Sequence, residues 1–85
     1  MIRVRCLGHI GTSVGTNEVE VDGPGMFAGE LVERVRKMAA AKDPGFTKYN
    51  TLVMVEEGEA FVSAASDREV RDGERVVLIP FSHGG

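Results

Sequence analysis

Apolar positions along this chain of 85 residues switch between two periods, and the switches mark its elements. Ile2 to Leu7 alternates, with Ile2, Val4 and Cys6 on one face and Arg3, Arg5 and Leu7 on the other, the pattern of a half-buried strand. Gly8 to Thr16 is dense in turn residues and reads as a loose hairpin loop. Glu18 to Asp22 alternates again, with Val19 and Val21 inward. Gly23-Pro24-Gly25 then breaks the chain and the period lengthens. Phe27, Leu31, Val32, Val35, Met38 and Ala39 recur at helical steps, while Glu30, Glu33, Arg34, Arg36 and Lys37 take the opposite side. Acidic residues come early and basic ones late, which suits the helix dipole, and Asp43-Pro44-Gly45 ends the pattern. Thr51 to Val55 predicts a strand, Glu56 to Glu59 a turn, and Ala60 to Ser63 a short returning strand. Ser66 to Arg71 is irregular with room for one helical turn, Asp72-Gly73 is a turn, and Arg75 to Phe81 is the last strand.

The order ββαβββ predicts an α+β fold, a mixed five-stranded sheet with one main helix on one face. Val76 to Ile79 is apolar at every position, as in a strand with neighbours on both edges. Its most economical place is parallel beside the first strand, with the helix as the crossover. That is the ubiquitin-like β-grasp plan. Residues 1–80 read as one domain and residues 81–85 as a flexible tail ending in Gly-Gly.

Composition narrows the function. Apolar residues at 42% and charged residues at 27% are ordinary for a globular domain and too apolar for disorder. Ten Lys and Arg stand against thirteen Asp and Glu, so the basic footprint of a nucleic-acid binder is missing. A single cysteine excludes an internal disulfide and any four-cysteine cluster. The longest apolar runs, Leu52 to Val55 and Val76 to Pro80, are far short of the ~20 residues needed to span a bilayer. Met1 leads directly into a strand pattern without a leader, so the expected location is cytoplasmic, away from membranes.

The C-terminus is the richest candidate for chemistry. A Gly-Gly end carries no side chains and has unrestricted dihedrals, so it can thread a narrow channel and present the Gly85 α-carboxylate to an enzyme. Ser82, His83 and Gly84 would give it access, with the five tail residues spanning roughly 16 to 18 Å when extended. The plain alternative is a frayed terminus without a role. A second candidate is the outer sheet face. Val76 and Leu78 share one face of the last strand and Val77, Ile79 and Phe81 the other. Analogy with the ubiquitin fold places the first pair inward, leaving Val77, Ile79 and Phe81 beside Arg3, Arg5 and Leu7, an apolar patch rimmed by arginines that suits partner docking. The alternative is that loops or arginine stems cover it.

Weaker signals dissolve on inspection. Gly8-His9-Ile10-Gly11 has the spacing of a nucleic-acid clamp but follows a strand in an acidic chain. Cys6 shares a face with Ile2 and Val4 and reads as a buried, inert thiol rather than a partner of His9. Adjacent Ser82 and His83 point apart in an extended tail, and Glu56 and Glu57 sit solvated in a turn. With no base–nucleophile pair and no metal set, the residues point away from an independent enzyme.

The segment Asp72 to Gly85, DGERVVLIPFSHGG, resembles the ending of the MoaD/ThiS sulfur-carrier family, which shares the ubiquitin β-grasp. The helix ELVERVRKMAA and the hairpin MVEEGEAF resemble that family's helix and its Asn-Gly-type hairpin in order and spacing. Pro80-Phe81 stands where many molybdopterin-synthase small subunits have two prolines, and the His-Gly-Gly end is closer to ubiquitin-related modifiers of transfer-RNA thiolation. The resemblance implies a carrier, monomeric alone, that is the substrate of a ubiquitin-activating-type adenylyltransferase using ATP and magnesium, with no cofactor bound to the carrier itself. A persulfide donor protein would then convert the Gly85 adenylate to a thiocarboxylate that donates sulfur in a molybdopterin, thiazole or transfer-RNA thiolation pathway. In the first of these, a synthase large subunit would receive the tail. The same adenylate attacked by a lysine amine would instead make a protein modifier linked to lysine-bearing targets through Gly85. A third reading is a β-grasp interaction module that is never activated.

Overall fold

Two antiparallel hairpins meet at a central parallel pair to make the sheet. The computed structural model describes residues 1–42 and 44–81. Strands β1 (Ile2–Cys6), β2 (Glu18–Val21), β4 (Thr51–Glu57), β5 (Ala60–Ala64) and β7 (Arg75–Pro80) form a five-stranded sheet in the order β2-β1-β7-β4-β5. β1 and β7 run parallel, pairing Val4 with Val76 and Cys6 with Leu78, while every other pair in this sheet is antiparallel. The topology is the β-grasp arrangement expected from the sequence.

Alternation decides the two faces. Ile2, Val4, Cys6, Val53, Val55, Val76 and Leu78 are all buried on the helix side of the sheet, in one core to which helix α2 (Ala28–Arg36) contributes Leu31, Val32 and Val35. No side chain caps the start of α2. Its first free amides instead donate to carbonyls of the connection after β5, Ala28 to Arg68 at 2.8 Å and Gly29 to Ser66 at 2.9 Å. The segment Ser66 to Arg71 is therefore not a helical turn. It supplies these acceptors and then strand β6 (Glu69–Arg71), which pairs with β3 (Gly25–Phe27) in a small second sheet.

The helical stripe read from the sequence is corrected at both ends. Phe27 lies in β3, where alternation turns Met26 into the core and leaves Phe27 exposed. At the other end α2 stops at Arg36 and tightens into turns, with Met38 donating to Val35 and Ala39 to Arg36, so Met38 is exposed too. Phe46 fills the space left, fully buried and holding the Arg36 guanidinium on its carbonyl at 3.1 Å.

Gly8 to Thr16 is not a loose loop. Helix α1 (Gly8–Val14) occupies it, closed by Gly15 in the left-handed conformation with its amide on the Gly11 carbonyl. Two glycines in seven residues are poor helix formers, so packing must supply the stability. Ile10 is fully buried, Val14 packs against the core, and Gly11 lies so close to β1 that an added Cβ would fall 2.7 Å from the Cys6 carbonyl oxygen. Gly11→Ala should accordingly lower stability by about 1–3 kcal/mol through forced separation of α1 from β1. Gly15→Ala, which meets open space but keeps a φ of 91°, should cost about 1 kcal/mol. Denaturant midpoints of the two variants test that order.

Candidate functional site

Strand β7 is the sheet's central strand, and its outward side chains begin the site. Arg75, Val77 and Ile79 face away from the helices, and the flanking strands add Arg3 and Arg5 from β1 and Leu52 and Met54 from β4. Register fixes the neighbours: Val77 sits between Arg5 and Met54, and Ile79 opposite Leu52. The six outer-face residues predicted from sequence thus lie on or beside one face. Arg3 and Arg5 are exposed, Val77 and Ile79 are half-buried, and Leu7 and Phe81 are exposed at the end of the strands. Leu52 and Met54 belong to the same apolar block, and sequence reasoning missed them. The signal was present: Thr51 to Glu57 places apolar side chains on both faces, and only one face can meet the helix.

The face divides into two halves. Toward the start of β7, the outer side chains Arg3, Arg5, Arg75, Glu18, Glu56 and Phe61 surround an open depression of about 360 Å³. Arg3 leans to Glu18 at 3.8 Å across the β1–β2 hairpin, with both groups half-exposed, so that pair contributes little to stability. Toward the end of β7 the surface is apolar, and there the chain leaves the sheet.

That exit is held in a defined place. The Phe81 amide donates to the Asn50 carbonyl at 3.0 Å. Asn50 is itself fixed, accepting the Thr47 amide on Oδ1 at 2.7 Å and donating from Nδ2 to the Gly45 carbonyl at 3.2 Å. An exposed Phe81 therefore stands at the rim of the apolar half, directly before the four remaining residues. Ser82, His83, Gly84 and Gly85, which the sequence nominates for tail access and chemistry, lie outside the described residues.

Other candidates separate. Cys6 faces the core and is buried, and burial pushes its thiol above the usual range, whereas His9 is exposed on α1. Among the described residues no group of three or more His, Cys, Asp or Glu is placed to hold a metal ion, and no helix is long and apolar enough to cross a membrane.

No protein-family profile matches the sequence, and no curated protein matches it. Solved structures do. The chain is similar to SAMP1 from Haloferax volcanii, at 19% identity with a TM-score of 0.67 over 99% of this chain and 98% of that one. It is similar to the putative molybdopterin converting factor, subunit 1, from Pyrococcus furiosus, at 21% identity and a TM-score of 0.67 over 95% and 97%. It is also similar to a chain of the BexX/CysO complex from Amycolatopsis orientalis, at 22% identity and a TM-score of 0.67 over the whole of both chains. At these identities the likeness establishes a common fold.

The buried thiol makes a testable contribution. Native protein should resist a thiol-alkylating reagent at neutral pH and react promptly once unfolded, as intact mass would record. The folded state keeps a proton that the unfolded chain releases. Stability from this group is therefore complete below the ordinary thiol range and falls as pH rises through it toward the raised value. Cys6→Ala should flatten that alkaline loss in a pH series of denaturant midpoints.

Proposed function

We propose that this chain is a sulfur carrier of the MoaD/ThiS type, a substrate of its partner enzymes rather than a catalyst. The observation that carries the reading is the junction at Phe81. A central strand delivers the chain to a fixed exit beside an exposed apolar half-face, immediately before the sequence Ser82-His83-Gly84-Gly85. A partner that covers Val77, Ile79 and Phe81 would have those last four residues directed into it. The neighbours support the same reading, since they carry the names of a small archaeal modifier protein, a molybdopterin converting factor subunit and a member of the BexX/CysO complex.

The chemistry belongs to the main chain. A free carboxylate is a poor electrophile, so an adenylyltransferase using ATP and magnesium joins the Gly85 carboxylate to AMP and releases pyrophosphate. A persulfide attacks the acyl carbon and AMP leaves. A second thiol then attacks the donor's sulfur, breaking the sulfur–sulfur bond that the persulfide brought and forming a disulfide with the donor. This leaves a C-terminal thiocarboxylate, a soft nucleophile able to pass sulfur to an acceptor. Gly84 and Gly85 matter because only glycine lets such an end pass through a narrow channel.

A second reading has its own support in the modifier named among the neighbours: a lysine amine attacks the same adenylate and an isopeptide bond results. Thiol-resistant conjugates of higher mass in host cells would favour that fate. In the third reading, an interaction module that is never activated, deleting Gly84 and Gly85 leaves partner binding and phenotype intact.

Intact mass spectrometry of protein from its native host tests the proposal first, before and after incubation with ATP and the host adenylyltransferase. Replacement of one C-terminal oxygen by sulfur, localised to Gly85, is the expected result. A terminus unmodified in both samples, with no adenylate trapped, would sink activation. Ile79→Asp should leave the fold intact, because the position is outward. It should raise the carrier KM for adenylation roughly tenfold or more while changing kcat little, as expected for loss of an apolar docking contact.

A further inference from the structure

The two edges of the five-stranded sheet are built differently. β2, at one edge, reads Glu-Val-Glu-Val and turns Glu18 and Glu20 to solvent. β5, at the other, reads Ala-Phe-Val-Ser-Ala, with no charge and no proline. Its register with β4 runs unbroken from Val53–Ala64 to Glu57–Ala60, so no bulge twists it away, and among the described residues no strand pairs with its other side. Phe61 is 45% exposed and Val62 is 42% exposed, one on each face of the strand. Exposed edges of soluble proteins are normally blunted by charge, proline or a bulge, because their free amides and carbonyls template pairing with another chain. Glu18 and Glu20 blunt β2. No residue of β5 does so.

We propose that β5 is a self-association edge: two copies of this chain pair antiparallel through Ala60–Ala64 about a two-fold axis at Val62, merging their sheets. In that register Val62 faces Val62 of the second copy, Phe61 faces its Ser63, and Ala60 faces its Ala64. No like charges oppose one another across the pair, which is the condition cross-strand pairing requires. The alternative of β5 against β2 of another copy would crowd Glu18 and Glu20 beside Phe61 and Val62, and it would leave an open edge at each end. Isologous pairing consumes both apolar edges, leaves only the two acidic ones, and stops at a dimer. Strands this short bury well under the roughly 1,600 Å² of a standard stable interface, so the dimer forms at high concentration and dissociates on dilution. The axis lies perpendicular to the merged sheet, which sets the two outer faces side by side on one surface. This inference does not depend on activation at Gly85.

Sedimentation equilibrium of the full chain from micromolar to millimolar concentration tests it, with amide hydrogen exchange of residues 60–64 followed over the same range. Wild type should pass from monomer to dimer, with exchange slowing in β5 as the dimer fills. Val62→Lys, at a solvent-exposed position on the helix-side face of the edge strand, should raise the concentration of half-dimerisation roughly tenfold or more, because two ammonium groups would oppose each other. Val62→Thr, equally suited to a strand, should keep the dimer. A protein monomeric at millimolar concentration, a dimer indifferent to Val62→Lys, or open-ended growth beyond a dimer would each overturn the proposal. The exchange measurement needs no variant, so it decides the matter even if Val62→Lys fails to fold.

Discussion

The parallel pairing of β1 with β7, Val4 against Val76 and Cys6 against Leu78, holds both ends of the domain at the middle of the sheet. Parallel strands cannot be joined by a tight turn, so the chain between them has to cross the sheet, and α2 is packed where that crossing requires. Each neighbour of the pair is placed by it: β2 folds back on β1, and β4 enters beside β7 in antiparallel register. The Met1 ammonium group pairs with Asp72, and the Met1 carbonyl accepts the Gly73 amide at 2.9 Å, closing the start of β1 onto the turn that launches β7.

That central pair also sets the polarity of the molecule. Because β7 is flanked on both sides, its inward residues complete the core while its outward residues lie in the middle of an open face rather than at a rim. The same strand carries the chain toward its C-terminus, and the Asn50 carbonyl catches the Phe81 amide at the end. Fold and proposed function thus meet in one element. The strand that contributes Val76 and Leu78 to the core also presents Val77 and Ile79 outside and brings the chain to its exit at Phe81.

Backbone hydrogen bonds and ion pairs both tie the connecting segments together. The first amides of α2 use carbonyls of residues 66 and 68. Arg68 links two loops, meeting Glu57 at 2.6 Å and Glu74 at 3.9 Å, and so joins the β4–β5 hairpin to the turn before β7. These contacts bring together residues far apart in sequence, where periodicity cannot see them.

A run apolar at every position marked the last strand as central, and periodicity determined the alternating strands, the existence of α2 and the split of Val76 and Leu78 from Val77 and Ile79. Each of the last three depends on a local repeat of two or 3.6 residues, and burial of one face makes that repeat visible. Tertiary structure decided the rest. Gly8 to Val14 looks like a loop because its glycines lack helix propensity, yet α1 forms because Ile10 needs the core and Gly11 alone fits against Cys6. Phe46 comes after a Pro-Gly break that signals a loop, and the early end of α2 makes it a core residue. Leu52 and Met54 joined the outer face only once register set them opposite Ile79 and Val77. The exposed edge at β5 likewise comes from strand order: Ala-Phe-Val-Ser-Ala would suit a buried strand, and only the sheet's sequence of neighbours leaves it outermost.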